Sequence, residues 1–211
     1  MRVLDQVSEL THLPQKMAPA DADALRLRLA GEAPKTVLEI CQNLSAFSLY
    51  LLAVLEDLGS GTLTSFEEGD SSSSQEVSRQ IKMLGLDLRL SVLPSDRSYA
   101  WALRRLIAET PRPQFDVCIL NGHKTWEAGG FGAVLGDMLL RPGGLMVLPD
   151  LGWSMATSPY FKERPQLTQK YAADELHAQP VKLIAELLLP HLGYEMIAVP
   201  ESKAFALARK R

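Results

Sequence analysis

Polar side chains that could do chemistry follow the apolar, strand-like runs of the sequence. Glu67 ends the second of these runs, His123 and Lys124 come just after the fourth, and Asp150 comes just after the fifth. A carboxylate can accept hydrogen bonds from two vicinal hydroxyls, and an imidazole that titrates near neutral pH can act as a general base. Because the carboxyl ends of parallel strands meet at one edge of a sheet, we expect these groups to share a ligand-binding edge.

Each of these side chains also has a structural interpretation. Glu67, with Glu68 and Asp70, could instead place negative charge at the start of a helix predicted at 74–84. His123 could be a loop histidine hydrogen-bonded to backbone, and this interpretation is slightly favoured. Lys124 and Asp150 are second choices as catalytic groups, either lowering the pKa of an acceptor hydroxyl or orienting His123.

The stretch 36–52, TVLEICQNLSAFSLYLL, is the centre of the predicted architecture. Its first part is typical of a buried strand and its last part of a helix face, with a short polar turn at 42–45 between them. The free N–H groups at such a helix start attract anionic or polar ligand groups. The turn contains no glycine, although glycine normally lets a ligand approach the backbone.

Further strands are predicted at 62–67, 86–93, 115–120 and 145–148, alternating with helices that include 20–30 and 99–108. A hairpin of strands 194–199 and 204–208 ends the chain. This pattern predicts an α/β fold, a Rossmann-like doubly wound sheet of mostly parallel strands with a C-terminal antiparallel hairpin. We expect a single domain over 1–211, with an N-terminal arm and helix at 1–33 and a helical insertion at 159–192. Within this insertion, 159–167 is predicted to be a polar, aromatic loop, and 171–192 is predicted to be mostly helical with interruptions at Pro180 and Pro190.

The composition of the chain limits the classes of binding partner that we expect for it. A net charge of -3 and a pI near 5.8 argue against a nucleic-acid binder. No apolar run is long enough for a membrane span, no signal peptide is recognisable, and Cys41 and Cys118 lie in apolar runs typical of a reducing compartment. We therefore expect a cytoplasmic protein without a membrane partner. The helical stretch 171–192 could cover a ligand site or form a homodimer contact, but a core helix is the safer interpretation.

Four sequence pieces and the closing hairpin carry a family resemblance: VLEI at 37–40, GTLTSFE at 61–67, FDVCILNG at 115–122, LLRPGGLMVLPD at 139–150, and the C-terminal VPESKAFALARK. With their order, they resemble class I S-adenosylmethionine-dependent methyltransferases, most nearly the small, catechol O-methyltransferase-like branch. The resemblance covers residues 36–209. It implies a methyltransferase that uses S-adenosylmethionine on a small-molecule acceptor.

The resemblance also implies a cofactor site. Glu39 and the turn would lie beside the methionine moiety, Glu67 would hold the ribose, and Ser95 and Asp96 would lie near the adenine. At the three glycine positions of the family's EIGxGxG motif this chain has Cys41, Asn43 and Ser45. Their Cβ atoms narrow the cofactor's path, although Asn tolerates a positive φ and Ser and Cys are small.

The family's usual acid after the fourth strand is Asn121 in this chain. In the metal-dependent branch that position and an Asp-Asn pair after the fifth strand hold magnesium, whereas this chain has Asp150 and Leu151. One carboxylate, one amide and one leucine suit a hard cation poorly, so we predict no magnesium. The aromatic residues Trp126, Trp153, Tyr160 and Phe161 are candidates for an acceptor pocket.

Two other functions compete with a metal-independent methyltransferase. The replaced glycines and Asn121 would suit a catalytically degenerate binding or assembly protein with a degenerate motif on the same fold. A nucleotide-sugar or NAD-binding Rossmann protein shares the ribose acid, but the RPGG phrase and the closing hairpin fit it poorly. A C-terminal antiparallel strand inserted in the sheet would indicate the methyltransferase topology instead.

Overall fold

The architecture comes from a computed structural model that describes residues 2–10, 17–68, 72–95 and 98–211. Seven strands form one sheet in the order β3-β2-β1-β4-β5-β7-β6. Strands β1 to β5 are parallel, and β7 lies antiparallel between β5 and β6. The strands are β1 Thr36–Ile40, β2 Thr62–Glu67, β3 Leu90–Pro94, β4 Phe115–Leu120, β5 Leu140–Pro149, β6 Tyr194–Ile197 and β7 Phe205–Lys210.

Helices cover both faces of this sheet. They are α1 Val3–Ser8, α2 Pro19–Glu32, α3 Ala46–Asp57, α4 Ser72–Met83, α5 Tyr99–Ala108, α6 Trp126–Asp137, α7 Pro159–Lys162, α8 Ala173–His177, α9 Pro180–Leu183 and α10 Leu189–His191, with a π-helical turn at Ile184–Leu188. In the described part of the chain, no helix combines the length and the apolar character needed to cross a membrane.

Two hydrophobic cores form because successive strand residues point to opposite faces of the sheet. In β4, Val117 and Ile119 pack into the core shared with α2 and α3, while Cys118 and Leu120 pack into the core shared with α5 and α6. A strand buried on both faces must be mostly apolar, which explains the run FDVCIL, whose one charged residue, Asp116, is only partly buried. The doubly wound α/β prediction, with its antiparallel C-terminal hairpin, is confirmed.

The predicted strands 62–67 and 115–120 and the predicted helix 99–108 match the structure, but the start of the third strand was wrong. A 3-10 turn, Asp87–Arg89, precedes β3. The alternation of leucines suggested a strand, yet Leu86 is fully buried and Leu88 is 90% exposed. Arg89 forms an ion pair with Glu56 and donates a hydrogen bond to the Gly61 carbonyl oxygen at 3.1 Å, so a distant contact holds the turn.

The phrase RPGG does not precede the fifth strand, as the sequence suggested, but lies inside it. β5 begins at Leu140, and its register against β4 shifts between Phe115 and Val117. Gly143 has a φ of 72°, which an L-residue rarely adopts, so a glycine here lets the strand bulge. The strand is therefore longer than the predicted 145–148.

Two segments expected to be irregular contain helices. The N-terminal arm includes α1, where Leu4 is buried and the Val3 N–H donates to Asp57 at 3.2 Å. The expected loop 159–167 contains α7 and a 3-10 turn, Pro165–Leu167. The helical prediction for 171–192 is confirmed for most of the stretch, with its break before Pro180. The break predicted at Pro190 was wrong, because Pro190 lies in α10, which continues directly from the π-helical turn.

Candidate active site

The carboxyl edge of the sheet holds a buried polar group centred on Glu39. Glu39 is 0% exposed at the end of β1. One of its oxygens accepts a hydrogen bond from the Asn121 amide at 2.9 Å, and the other accepts from the Ser65 hydroxyl at 3.1 Å. We call Glu39, Ser65, Asn121 and Cys41 the Glu39 network. It spans three adjacent strands, and its hydrogen bonds offset the desolvation of the buried carboxyl group.

Cys41 belongs to this network through its Sγ, which lies 3.0 Å from the Ser65 Oγ. The only hydroxyl hydrogen of Ser65 goes to Glu39, so the Ser65 oxygen acts as an acceptor here, and the thiol hydrogen can point to it or to the Phe66 carbonyl oxygen. Its Sγ also lies 3.6 Å from the Phe66 carbonyl oxygen, and the residue is 1% exposed. Cys41 is therefore a buried residue that connects the first turn to β2.

The turn from β1 to α3 forms without glycine because its backbone needs none. No residue from Cys41 to Ser45 has a positive φ, so the tolerance of Asn43 for that conformation is not used. The Glu68 N–H donates to the Gln42 carbonyl at 2.8 Å and to Asn43 Oδ1 at 3.0 Å. These bonds attach the turn to the end of β2.

At the start of α3, the Ser45 N–H donates to the Ser48 hydroxyl at 3.0 Å. The Ser45 Oγ faces the Ser48 amide in a capping-box arrangement, but the contact is too loose for an ordinary hydrogen bond. This buried oxygen therefore remains without a partner among the described residues. A polar group on a ligand at this helix start could reach it.

Glu67 and Ser95 lie at the ends of β2 and β3. The Glu67 carboxylate accepts a hydrogen bond from the Ser74 hydroxyl in the first turns of α4, and its carbonyl accepts from the Ser95 N–H at 2.9 Å. The contact with Ser74 agrees with the helix-start interpretation of Glu67. Ser95 is 4% exposed, and its Oγ has no partner within the described parts of the chain. Asp96, the other residue assigned near the adenine, lies outside the described residues.

A cleft of about 640 Å³ opens at the carboxyl ends of β1 and β4. Its walls come from Gln42 in the first turn, from residues 121–125 after β4, and from the segment that follows β5. That segment contributes Trp153, Ser158, Tyr160, Phe161, Leu167, Lys170 and Tyr171. The first turn thus faces a cleft large enough for a small molecule.

His123 is exposed and lines this cleft. Its ring centroid lies 5.8 Å from that of Tyr99. The side chain makes no hydrogen bond to another described residue. Within the described part of the chain, His123 is therefore not the backbone-bonded loop histidine that the sequence slightly favoured. The imidazole therefore faces the space where a ligand would bind.

Lys124 and Asp150 form an ion pair that joins the loop after β4 to the end of β5. Their side chains are 15% and 25% exposed. Asp150 has a φ of 64°, a conformation that Asp adopts more readily than most residues. The two side chains fix each other, and the orientation of His123 by this pair stays a prediction.

The loop after β4 is held by Tyr99. A Cβ on Gly122 would lie 2.7 Å from Tyr99 Cε1, so only glycine fits at this position. The Tyr99 hydroxyl donates to the Ala128 carbonyl at 3.1 Å, and burial raises its pKa to about 12. The glycines of α6 serve close packing of the same kind: a Cβ on Gly132 would lie 3.0 Å from Leu120 Cδ1. These glycines therefore belong to a packed helix.

Some predictions about the cleft were incomplete. Trp153, Tyr160 and Phe161 line it as expected, but Trp126 lies on α6 and does not. Gln42, Lys170 and Tyr171 also line the cleft but were not predicted as individual site residues. Gln42 could have been found as the exposed member of the first turn, and the other two follow β5 at the ligand-binding edge, though in a segment without periodicity.

No group of three His, Cys, Asp or Glu residues in the described parts of the chain is arranged to hold a metal ion. Asn121, at the position of the family's metal-binding acid, has its amide nitrogen directed to Glu39. Asp150 is paired with Lys124. The absence of magnesium stays a prediction, and these two contacts show how the residues are otherwise engaged.

Comparison with known proteins gives matches in structure alone. No family model matches the sequence, and no curated protein does. A putative caffeoyl-CoA O-methyltransferase from Staphylococcus aureus matches at 13% identity and a TM-score of 0.66, covering 99% of this chain and 91% of that one. An O-methyltransferase from Bacillus cereus in complex with S-adenosylhomocysteine matches at 16% identity and a TM-score of 0.65, with 99% and 90% covered.

The O-methyltransferase TomG from Streptomyces achromogenes, in complex with S-adenosylmethionine, matches at 14% identity and a TM-score of 0.61, with 100% and 90% covered. Identities this low show the fold alone. The antiparallel β7 between β5 and β6 is the feature that separates this topology from a nucleotide-sugar or NAD-binding Rossmann protein. The chain therefore has the Rossmann-like fold of the class I S-adenosylmethionine-dependent methyltransferases.

Proposed function

We propose that this protein is a metal-independent, S-adenosylmethionine-dependent methyltransferase that acts on a small-molecule acceptor. The observation that carries the proposal is the position of the cleft, which opens beside the turn between β1 and α3 and includes Gln42 of that turn. Methyl transfer requires the acceptor oxygen to lie in line with the donor's methyl group, and alignment alone supplies much of the rate. Two structural neighbours were solved with S-adenosylhomocysteine or S-adenosylmethionine.

The buried oxygens that lack partners support a cofactor at this edge. Ser45 Oγ lies at the start of α3 and Ser95 Oγ at the end of β3, where the methionine and adenine parts would bind. Glu67, between them at the end of β2, would accept bonds from the ribose hydroxyls, with Asp96 near the adenine. Glu39, Cys41, Asn43 and Asn121 would shape the floor of this site through the contacts they make with one another and with β2.

S-adenosylmethionine, when bound, supplies an electrophilic methyl group. The residues of the cleft would prepare the acceptor. His123 would take the proton from the acceptor hydroxyl, since its side chain lines the cleft and an imidazole nitrogen can accept a proton. The Lys124 ammonium, held by Asp150, would lie near the oxygen and stabilise its developing negative charge. No metal ion is needed for these two steps.

Calorimetric titration of the full chain with S-adenosylmethionine and S-adenosylhomocysteine tests this proposal. We expect saturable binding of both, weakened by Ser95→Ala, which removes the buried hydroxyl. The matched control is Ser91→Ala, an exposed serine of β3. No binding at millimolar ligand would contradict the proposal.

The glycine positions give a second test. In the variant Cys41→Gly, Asn43→Gly, Ser45→Gly, we expect cofactor affinity within about tenfold of the parent's, because the parent turn already forms without glycine. Strong binding gained only by this triple variant would favour the degenerate binding protein instead. Methyl transfer that EDTA abolishes would contradict metal independence.

A further inference from the structure

We propose that the cleft selects a planar acceptor that carries a carboxylate, with the ring against Trp153, Tyr160 and Phe161 and the anionic group at Lys170. The inference rests on the proposed function only in calling this ligand the acceptor. Its selectivity follows from the charges and rings that line the cleft.

Charge is the first argument. Among the described residues, the side chains lining the cleft include two lysines and a histidine but no carboxylate. The segment 158–171, which covers the cleft, has three basic residues, Lys162, Arg164 and Lys170, and one acidic residue, Glu163. The whole chain has a net charge of -3, so this segment differs in sign from the rest. A cationic acceptor would meet repulsion here, and an anionic one attraction.

Lys170 is the cation available to a ligand's anionic group. Lys124 also lines the cleft, but it is paired with Asp150. Lys170 is exposed, and its ammonium lies 4.9 Å from the centroid of the Tyr171 ring. No described carboxylate lies within ion-pair distance of it. The contact with Tyr171 leaves the N–H groups of the ammonium able to donate hydrogen bonds to the carboxylate of a ligand.

The aromatic side chains favour a flat ligand. Phe161 packs edge-to-face against both Trp153 and Tyr160, with ring centroids 6.1 Å and 5.2 Å apart. Tyr160 remains 54% exposed, although the Arg164 guanidinium lies 4.4 Å from its ring centroid. Rings that line the cleft and are already positioned by one another offer an aromatic ligand stacking or edge contacts, and they lose little freedom when it binds.

The test compares 4-hydroxybenzoate with its neutral, size-matched amide, 4-hydroxybenzamide, by calorimetric titration of the full chain. We expect the carboxylate to bind about two- to fivefold more tightly, as one solvent-accessible ion pair allows. Lys170→Gln should remove this preference, and Lys170→Arg should retain it. The control is Lys162→Gln, an exposed lysine of α7 that does not line the cleft.

Equal affinities for the two probes, or a preference that survives in Lys170→Gln, overturns the inference. So does the absence of saturable binding for both. Titration of the same samples with S-adenosylhomocysteine separates this outcome from failure of the proposed function. Cofactor binding without an anion preference leaves the methyltransferase proposal standing, whereas an anion preference without cofactor binding supports the cleft's selectivity and removes the methyltransferase role.

Discussion

The Glu39 network and the cleft lie at the same edge of the sheet, yet they are built differently. In the network, polar groups from β4, β1 and β2 bond to one another and are shielded from water. In the cleft, His123, Lys170 and Tyr160 are exposed and face open space. The network lies within β1 and β2 and just after the ends of β1 and β4, where Asn121 also borders the cleft, whereas most of the cleft lies on the loops after β4 and β5.

This difference shows where the chain's departures from the methyltransferase motifs, the glycine positions and the acid after the fourth strand, have their effect. Cys41 and Asn121 belong to the buried side, where they add hydrogen bonds across strands. The replacements at these positions therefore stabilise the floor of the site. The choice of ligand depends on the cleft, where charged side chains remain accessible to a bound molecule. The following changes test that division, beginning with the largest expected effect.

Asn121→Asp restores the acid typical of the family at this position and should destabilise the protein. The Asn121 amide now donates to Glu39 at 2.9 Å, and an aspartate would place a second carboxylate there without a proton to donate. We expect the free energy of unfolding at pH 7 to fall by about 2–4 kcal/mol, as when one partner of a buried polar pair is removed. Urea unfolding measures it. The loss should shrink at pH 5, because a proton shared between the two carboxyl groups restores a donor.

Asn43→Asp is the matched control. Asn43 accepts a hydrogen bond from the Glu68 N–H through its Oδ1, and a carboxylate can accept the same bond. Its effect should stay below about 1 kcal/mol, within the range of ordinary surface changes. An Asn121→Asp variant as stable as the parent, or one that gains magnesium binding, would show that the network is not the closed unit described above.

Gly122→Ala tests the link between the two regions, since Gly122 joins Asn121 of the network to His123 of the cleft. The added Cβ would lie 2.7 Å from Tyr99 Cε1 and 3.3 Å from the Ile40 carbonyl oxygen. Overpacking of this kind costs about 1–3 kcal/mol, which thermal or urea unfolding would detect. Gly152→Ala, on the loop after β5 with no atom within 4 Å of its Cβ, should change stability by less than about 0.5 kcal/mol. Equal effects would contradict the packing described for Tyr99.

Much of this architecture was predictable because local patterns decided it. The strand at 115–120 is apolar on both faces and is bounded by proline and glycine, so its limits were read correctly. The turn at Asp87–Arg89 was misread because Arg89 depends on Glu56, 33 residues away in the chain. Strand-end logic placed His123, Lys124 and Asp150 at one edge. It could not indicate that Lys124 would pair with Asp150, since that depends on the distance between two loops.

At the opposite edge of the sheet, Asp116 gives the protein a predictable response to acid. Burial by itself would raise the pKa of Asp116, but hydrogen bonds from Arg141 and from the Thr36 and Lys35 amides outweigh it and lower the pKa. The folded state therefore binds this proton less readily than the unfolded state. The resulting stabilisation is present at neutral pH and is lost as the pH falls through the lowered pKa.

Asp116→Asn should therefore reduce the free energy of unfolding by about 1–2 kcal/mol at pH 7, as expected for a lost charge-assisted hydrogen bond. The difference from the parent should narrow below about pH 4, where the parent's carboxyl group also becomes protonated. The control is Glu163→Gln, which changes an exposed acid of the segment that covers the cleft. It should alter neither the free energy of unfolding at pH 7 nor its dependence on pH. A difference that stays constant down to pH 3 would show that Asp116 acts through packing instead.

Asp150→Asn has the smallest expected effect on stability and the clearest effect on the cleft. The asparagine keeps the side-chain shape and tolerates the positive φ of 64°, so the backbone should persist. Losing the ion pair with Lys124, whose side chain is 15% exposed, should cost no more than about 1 kcal/mol. The Lys124 charge, no longer neutralised, should then tighten binding of 4-hydroxybenzoate about threefold and leave 4-hydroxybenzamide unchanged.

The variant Lys124→Gln should weaken binding of 4-hydroxybenzoate relative to 4-hydroxybenzamide, or leave the ratio of the two affinities unaltered. If both variants lose stability as Asn121→Asp does, the pair belongs with the buried network. If only the anion affinity changes, it belongs to the cleft, and the charge there can be altered without disturbing the fold beneath it.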